Sequence, residues 1–385
     1  MIPYGKHNLN KKDIESVLRV LKTDYLTQGP EVEKFERKIS LYCKSKYSVA
    51  VNSATSALHI SCLALGLGKG DILWTSAISF VASSNCALYC GAEVDFIDID
   101  SKTFNMSVEK LEEKLILAKI KKKLPKIVIP VHLSGLPCEL EKIHKLSKKY
   151  GFKIIEDASH AIGSIYKNNK IGHGKYSDIT VFSFHPVKII TSGEGGVATT
   201  NNKEIFQKLF TLRTHGITRN SKLFSEKNPT SLHYEQTGLG FNYRMNDIQA
   251  ALGSSQMNRI DHFIKRRRSI ANYYSHKLAN LDINLPYEPH NSSSSYHLYI
   301  IRIKNSSLGH KEKIIKKFKN EGVLLSFHYM PIFLHNFYKK MNFNHSDFPE
   351  SLKYYRDALS IPIYPTLKKL EQNKIISLME DFFSK

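Results

Sequence analysis

Between residue 47 and about residue 200, short apolar runs alternate with segments whose apolar residues recur every three or four positions. The runs are Tyr47 to Val51, Ile72 to Thr75, Val94 to Ile97, Ile127 to Val131, Phe152 to Ile155, Ile179 to Phe184 and Gly196 to Thr199. Most are continuously apolar, the pattern of strands covered on both faces. Between them lie Ala54 to Leu65, Phe80 to Cys90, Val108 to Ala118 and Glu139 to Lys149. In the third, Val108, Leu111, Leu115 and Ala118 share one helical face behind Ser107 as N-cap. Seven strands with intervening helices predict an α/β fold built on a mainly parallel, seven-stranded sheet.

The texture changes near residue 246. Asp247 to Leu278 reads as one long helix, followed by the polar break His290 to Ser295 and then smaller units: Tyr296 to Ile303 as strand, Glu312 to Lys319 as helix, Val323 to Phe327 as strand. Leu367 to Phe383 closes the chain as an amphipathic helix with Thr366 as N-cap. We therefore expect a large domain over 1–255, including an N-terminal arm, and a small C-terminal α/β domain over 256–385. The total of 385 residues suits that division.

Charge is the unusual part of the composition: 56 Lys and Arg against 35 Asp and Glu leave +21. Its distribution matters more than its size. The dense runs, Lys119 to Lys126 and Lys265 to Arg268, come with no recognition helix, zinc spacing or aromatic-interleaved basic strand, so they read as solvated helix faces. Nucleic acid is not an expected partner. Five cysteines, an odd set without a CxxC, suggest neither a disulfide framework nor a metal site. No signal-like leader or apolar run of about 18 residues occurs, so we expect a cytoplasmic protein with no membrane partner.

Chemistry concentrates in Thr180 to Gly196, where an apolar strand delivers one lysine, Lys188, into a loop that turns glycine-rich. Such a lysine is either an ordinary surface residue or a desolvated amine whose lowered pKa makes it a nucleophile toward a carbonyl. A second apolar strand ends in Glu156-Asp157-Ala-Ser-His160, and open parallel sheets bind ligands at such carboxyl ends. Alternation along the strand turns Glu156 away from Asp157. Asp157 is then a ligand carboxylate or a helix N-cap. Lysine and carboxylate together are what pyridoxal phosphate needs: an amine for its aldehyde, and an anion that keeps its ring nitrogen protonated. Its phosphate needs a helix N-terminus with small residues. Asn52 to Leu58 offers one, with free N–H groups at Ala54 and Thr55 and hydroxyls from Thr55 and Ser183. Ordinary capping by Ser53 accounts for the same residues. Phe80 is placed either to stack on a ring or to join the core.

These pieces, in this order, resemble the DegT/StrS-type nucleotide-sugar aminotransferases over nearly the whole chain. The matching stretches are Leu26 to Pro30 with Phe35-Glu36, Asn52 to Leu58, Glu156 to His160, Ser183 to Gly196, Gly240 to Met245 and Val323 to Pro331. The resemblance implies a pyridoxal-phosphate enzyme of fold type I, like aspartate aminotransferase. By it, Lys188 carries the cofactor, Asp157 pairs with the ring nitrogen, Phe80 and His160 flank the ring, and Ala54, Thr55 and Ser183 take the phosphate. Asn242 would reach the phosphate of a neighbouring subunit, implying a homodimer with shared active sites. Many relatives carry glutamine where this chain has His160. Relatives that dehydrate sugars carry histidine in place of the lysine, and Lys188 argues against that branch. The wording of Ile72 to Gly91 and Ile97 to Asp100 is similar to the branch of the pseudaminic acid pathway. That branch takes a UDP-linked 2-acetamido-2,6-dideoxy-4-keto-hexose as substrate and L-glutamate as amino donor. Its substrate-side positions fall here on Tyr4, Asp24, Tyr25, Leu26, Thr27, Ser56, His328 and Tyr329. Tyr4, His328 and Tyr329 also suit plain domain packing.

Overall fold

The computed structural model describes residues 1–227, 230–304 and 306–383. The seven expected strands form one sheet: β1 (Tyr47–Val51), β2 (Ile72–Ser76), β3 (Glu93–Ile97), β4 (Ile127–Ile129), β5 (Lys153–Asp157), β6 (Ile179–Ser183) and β7 (Gly196–Thr200). Their spatial order is β1-β7-β6-β5-β4-β2-β3. Only β7 runs against its neighbours; the pairings from β6 through β5, β4 and β2 to β3 are parallel. Parallel pairs need long crossovers, and helices fill them: α1 (Lys11–Leu21) and α2 (Pro30–Cys43) precede the sheet, and α3 (Ala54–Ala64), α4 (Ala82–Tyr89), α5 (Val108–Ile120) and α6 (Leu140–Tyr150) connect it. After the sheet come α7 (Lys203–Leu212) and α8 (Asp247–Met257).

Residue alternation divides the core into two layers. Ile154 and Phe182 join Phe35, Leu111 and Ile143 on one face, while Ile155 and Val181 join Leu58, Ile60 and Cys86 of α3 and α4 on the other. Asp157 follows Ile155 by two residues and therefore points to the α3/α4 face. Strand β5 reaches Asp157 although the apolar run stops at Ile155, because its terminal groups find partners. Asp157 donates its N–H to Pro130 at 3.0 Å and accepts from His132 at 3.0 Å. Glu156, on the opposite face, is buried against the His132 ring nitrogen at 2.8 Å and the Thr180 hydroxyl at 3.1 Å.

The helix expected over Asp247 to Leu278 is instead two, α8 and α9 (Ile260–Lys277), broken at Asn258-Arg259. Arg259 leaves helical geometry, with φ −118° and ψ 4°, while its guanidinium grips Asn8 Oδ1 at 2.6 Å, the Asn8 carbonyl at 3.0 Å and the Asp13 carboxylate. Anchoring the N-terminal arm outweighs one more turn of helix. The adjoining Arg266-Arg267-Arg268 run is occupied internally. Arg266 donates to the carbonyls of Pro365 and Leu367, Arg267 to those of Tyr296, His297 and Ile363, and Arg268 to those of Ser293 and Ser294. Three positive charges that read as a solvated face staple a helix to two loops.

Beyond α9 a small antiparallel sheet, β8 (Ile283–Asn284), β9 (Tyr299–Ile303) and β10 (Ala358–Ile361), packs with α10 (Leu308–Asn320) and α12 (Lys369–Phe383), with α11 (Pro349–Asp357) leading into β10. Tyr274, Tyr299, Phe318, Leu359 and Met379 centre this core, and Ile2 of the N-terminal arm enters it. Val323 to Phe327 is not a strand: single bridges tie Val323 to Ile2 and Ser326 to Ser360. Nor does Thr366 cap α12, which starts three residues later, where the Glu371 carboxylate takes the Lys368 N–H at 2.7 Å. Arg266 fixes the intervening turn through its two carbonyls. Ile332, Phe333, Tyr338 and Phe348 leave the small core and pack on the α3/α4 face of the large sheet. Among the described residues, no helix is long and apolar enough to cross a membrane.

Candidate active site

Two strands and one helix end at the same place. Strand β5 presents Asp157, and β6 runs into the loop that carries Lys188. That loop is closed on itself: Phe184 donates to the Gly195 carbonyl at 2.9 Å, and the Ser192 N–H and Thr191 hydroxyl both return to the Phe184 carbonyl at 3.0 Å. Buried Ile189 and Ile190 anchor it from below. Lys188 is held at the mouth, partly accessible, with an amine that burial pulls down to about 8, the nearby Asp157 charge opposing the shift. Burial favours the desolvated alternative of the two readings of Lys188.

A pKa near 8 leaves an appreciable neutral fraction at neutral pH, whereas an ordinary lysine near 10.4 has only about 0.04%. Cofactor-free protein should therefore combine with pyridoxal phosphate at a rate that climbs through pH 8 and levels above it. Stopped-flow absorbance checks this, and a rise centred above about pH 10 would show an ordinary amine.

Asp157 is buried and starts no helix, which removes the N-cap reading. Its Oδ1 accepts the Ser159 N–H at 3.1 Å and its Oδ2 the Ser83 hydroxyl at 2.6 Å. Opposite stands the N-terminus of α3. Ser53 does cap it, accepting the Ser56 N–H at 3.1 Å, but this satisfies one donor and leaves those of Ala54 and Thr55 to another acceptor. Gly196, first residue of β7, lies so close that a Cβ would sit 2.5 Å from the Ala54 nitrogen, so only glycine lets the strand approach this helix end. Ser183 pairs with Gly196 across β6 and β7, which sets it beside the same helix end. An amine of lowered pKa, a buried carboxylate and an anion-accepting helix end fit pyridoxal phosphate.

One wall is aromatic. His160 Nδ1 accepts the Ser134 N–H at 3.3 Å, which assigns the proton to Nε2; that nitrogen meets the Tyr329 hydroxyl at 3.1 Å. Tyr329 is then the acceptor, and its own proton is free for a group in the site. Phe80, 57% exposed, is no core residue; its ring lies 6.0 Å from Tyr329. The Tyr4 ring approaches His328 at 5.1 Å, and His328 Nδ1 meets the Ser360 hydroxyl at 2.9 Å. Burial, aided by the Lys188 charge, pulls His328 down to about 4.

Not every expected residue converges. Asp24, Tyr25, Leu26 and Thr27 are all exposed, held by a bridge from Thr27 to Asn246 and by the Leu26 carbonyl accepting the Asp247 N–H at 3.0 Å. The Ser56 hydroxyl is spent on Asn52 Oδ1 at 2.6 Å. Asn242 is exposed, its backbone bridged to Thr214. Two residues outside the expected set join the site: Ser83, and His297, whose ring lies 4.3 Å from that of His160. Ser83 was detectable only as a hydroxyl one turn after Phe80, and nothing in the sequence marks His297.

Lysine, carboxylate and a helix end with free N–H groups, at the carboxyl edge of a seven-stranded sheet with a small C-terminal α/β layer, fit a pyridoxal-phosphate enzyme of fold type I. The chain belongs to the DegT/DnrJ/EryC1/StrS aminotransferase family, whose model matches residues 7–380. It is thus a pyridoxal-phosphate-dependent sugar aminotransferase. It is 34% identical over 392 residues to the UDP-4-amino-4,6-dideoxy-N-acetyl-beta-L-altrosamine transaminase of Campylobacter jejuni, covering 99% of this chain and 98% of that one. It is 32% identical over 384 residues to the spore coat polysaccharide biosynthesis protein SpsC of Bacillus subtilis, covering 99% and 96%. Among solved structures it matches PseC of Helicobacter pylori, an aminotransferase involved in the biosynthesis of pseudoaminic acid, with a TM-score of 0.91 and 29% identity over 100% of this chain and 99% of that one.

Proposed function

We propose that this enzyme transfers the amino group of L-glutamate to C4 of a UDP-linked 2-acetamido-2,6-dideoxy-4-keto-hexose, in pseudaminic acid biosynthesis. The observation that carries this reading is the 34% identity to the altrosamine transaminase across 98% of its length, joined to a site with the lysine and carboxylate such chemistry needs. Bound pyridoxal phosphate supplies the electrophilic carbon and the electron sink. In the first half-reaction glutamate leaves its amino group on the enzyme and departs as 2-oxoglutarate; in the second the keto sugar takes it. In this reading Lys188 Nζ, freed from the cofactor, takes the proton from the donor's Cα and returns one on the way back. Asp157 holds the ring-nitrogen proton, Ala54, Thr55 and Ser183 bind the phosphate, and Phe80 and His160 flank the ring. Tyr4, His328 and Tyr329 form the sugar side, with exposed Asp24 to Thr27 reaching the nucleotide. Asn242 completes the phosphate site of a second subunit, so the working unit is a cytoplasmic homodimer.

A second reading is an aminotransferase for another nucleotide-linked 4-keto sugar, favoured by the 32% identity to the spore coat protein over equal coverage. Mass spectrometry of products from a panel of UDP- and dTDP-linked 4-keto sugars with glutamate separates the two. Amination of the UDP-linked N-acetyl substrate at least tenfold faster than the rest is expected. Preference for a dTDP-linked sugar would replace the first reading with the second.

A further inference from the structure

Resting on the reading of Asp157 as the ring-nitrogen partner, the geometry points to a residue that no motif marks. We propose that Ser83 is a positioning residue: its hydroxyl aims the Asp157 carboxylate at the cofactor ring, with Ser79 holding Ser83 in turn.

The proton directions follow from which groups can donate. An ionised carboxylate only accepts. Ser83 must therefore donate in its 2.6 Å contact with Asp157 Oδ2, and so it accepts in its 2.7 Å contact with the Ser79 hydroxyl. Ser79, Ser83 and Asp157 are 2%, 0% and 5% exposed, so no water competes for these bonds, and a chain of hydroxyls polarises each member along it. The other oxygen of Asp157 is fixed by the Ser159 backbone N–H at 3.1 Å. Two donors on two oxygens leave the carboxylate one orientation. The supports come from different elements: Ser159 follows β5 itself, whereas Ser83 lies in the first turn of α4. That turn also follows Phe80, on the open side of the site. The segment 79–83 thereby ties the ring's face and its nitrogen partner to one rigid piece of backbone.

The test compares Ser83→Thr with Ser83→Val, which have nearly the same shape and differ in the donor. Each holoenzyme is mixed with L-glutamate and the single-turnover rate is read from the change in cofactor absorbance. Borohydride labelling of Lys188, the absorption maximum of the resting holoenzyme and the melting temperature are read in parallel. The Val variant should lose about 10- to 100-fold in the half-reaction rate, as for a hydrogen bond to a charged group, and should show a shifted maximum. The Thr variant should stay within about threefold of wild type. Lys188 should be labelled in all three. A Val variant reacting as fast as wild type, or a folded Thr variant as slow as Val, would overturn the proposal. Should either added methyl group prevent folding, Ser83→Ala replaces that pair, with the same loss expected and a wild-type rate overturning it. Absence of Lys188 labelling in the wild type would instead remove the reading of the site itself.

Discussion

Lys188→Ala abolishes transamination, lowering the rate by more than about 10³-fold, and the purified variant carries no covalently trappable pyridoxal phosphate. The size of the effect follows from the two tasks one amine performs. In the proposed reading it carries the cofactor at rest, and once displaced it is the group placed to move the donor's Cα proton. The Ser183–Gly196 loop brings in no other lysine, and the wall residues His160, His297 and His328 are all pulled below the ordinary histidine range chiefly by burial, which persists when Lys188 is removed. They are weak bases at neutral pH and cannot take over. Folding should persist, because the loop is closed by backbone bonds at Phe184, Ser192 and Gly195 that do not involve the lysine side chain. A Lys188→Ala enzyme that keeps more than a tenth of wild-type turnover, measured as 2-oxoglutarate released, would contradict this.

Asp157→Ala separates binding from turnover. The proposed phosphate cradle at Ala54 and Thr55 and the amine of Lys188 stay in place, so labelling of Lys188 should continue. The anion proposed to hold the ring-nitrogen proton is gone, and the rate should fall by about 10²- to 10³-fold, as for other preorganised electrostatic groups. A second effect has its own sign. Asp157 raises the Lys188 pKa against desolvation, so its removal moves the rise in cofactor uptake from pH about 8 to lower pH. Turnover within threefold of wild type, or a midpoint moving upward, would show that Asp157 does not face the site.

Most of the scaffold was legible because its signals are local. Short apolar runs, most of them continuous, gave every strand of the large sheet, and alternation within β5 separated the faces of Glu156 and Asp157. What escaped depends on contacts distant in sequence. The break at Arg259 answers to Asn8 and Asp13, some 250 residues away, and no helical pattern in 247–278 records it. The Arg266 to Arg268 run looked solvated because backbone carbonyls, its actual partners, have no sequence signature. The chemistry divides the same way. Lys188, Asp157 and the α3 N-terminus sit where strands and helices end, which is readable. Ser83 meets Asp157 through a hydrogen bond and His297 meets His160 ring to ring, and a serine in a helix's first turn or a histidine after a polar loop is ordinary until the fold brings it there.

The most direct test of the account is where the cofactor sits. Wild-type holoenzyme reduced with borohydride, digested and mapped by mass spectrometry should carry the pyridoxyl group on the peptide containing Lys188 and on no other. The chain contains an internal control: Lys311 in α10 is also desolvated, pulled down to about 7, and donates to the Tyr355 carbonyl at 2.8 Å in the small C-terminal layer. Modification of Lys188 at one group per chain is the predicted result; modification of Lys311 or another lysine, with Lys188 unmodified, would contradict the site described for this enzyme.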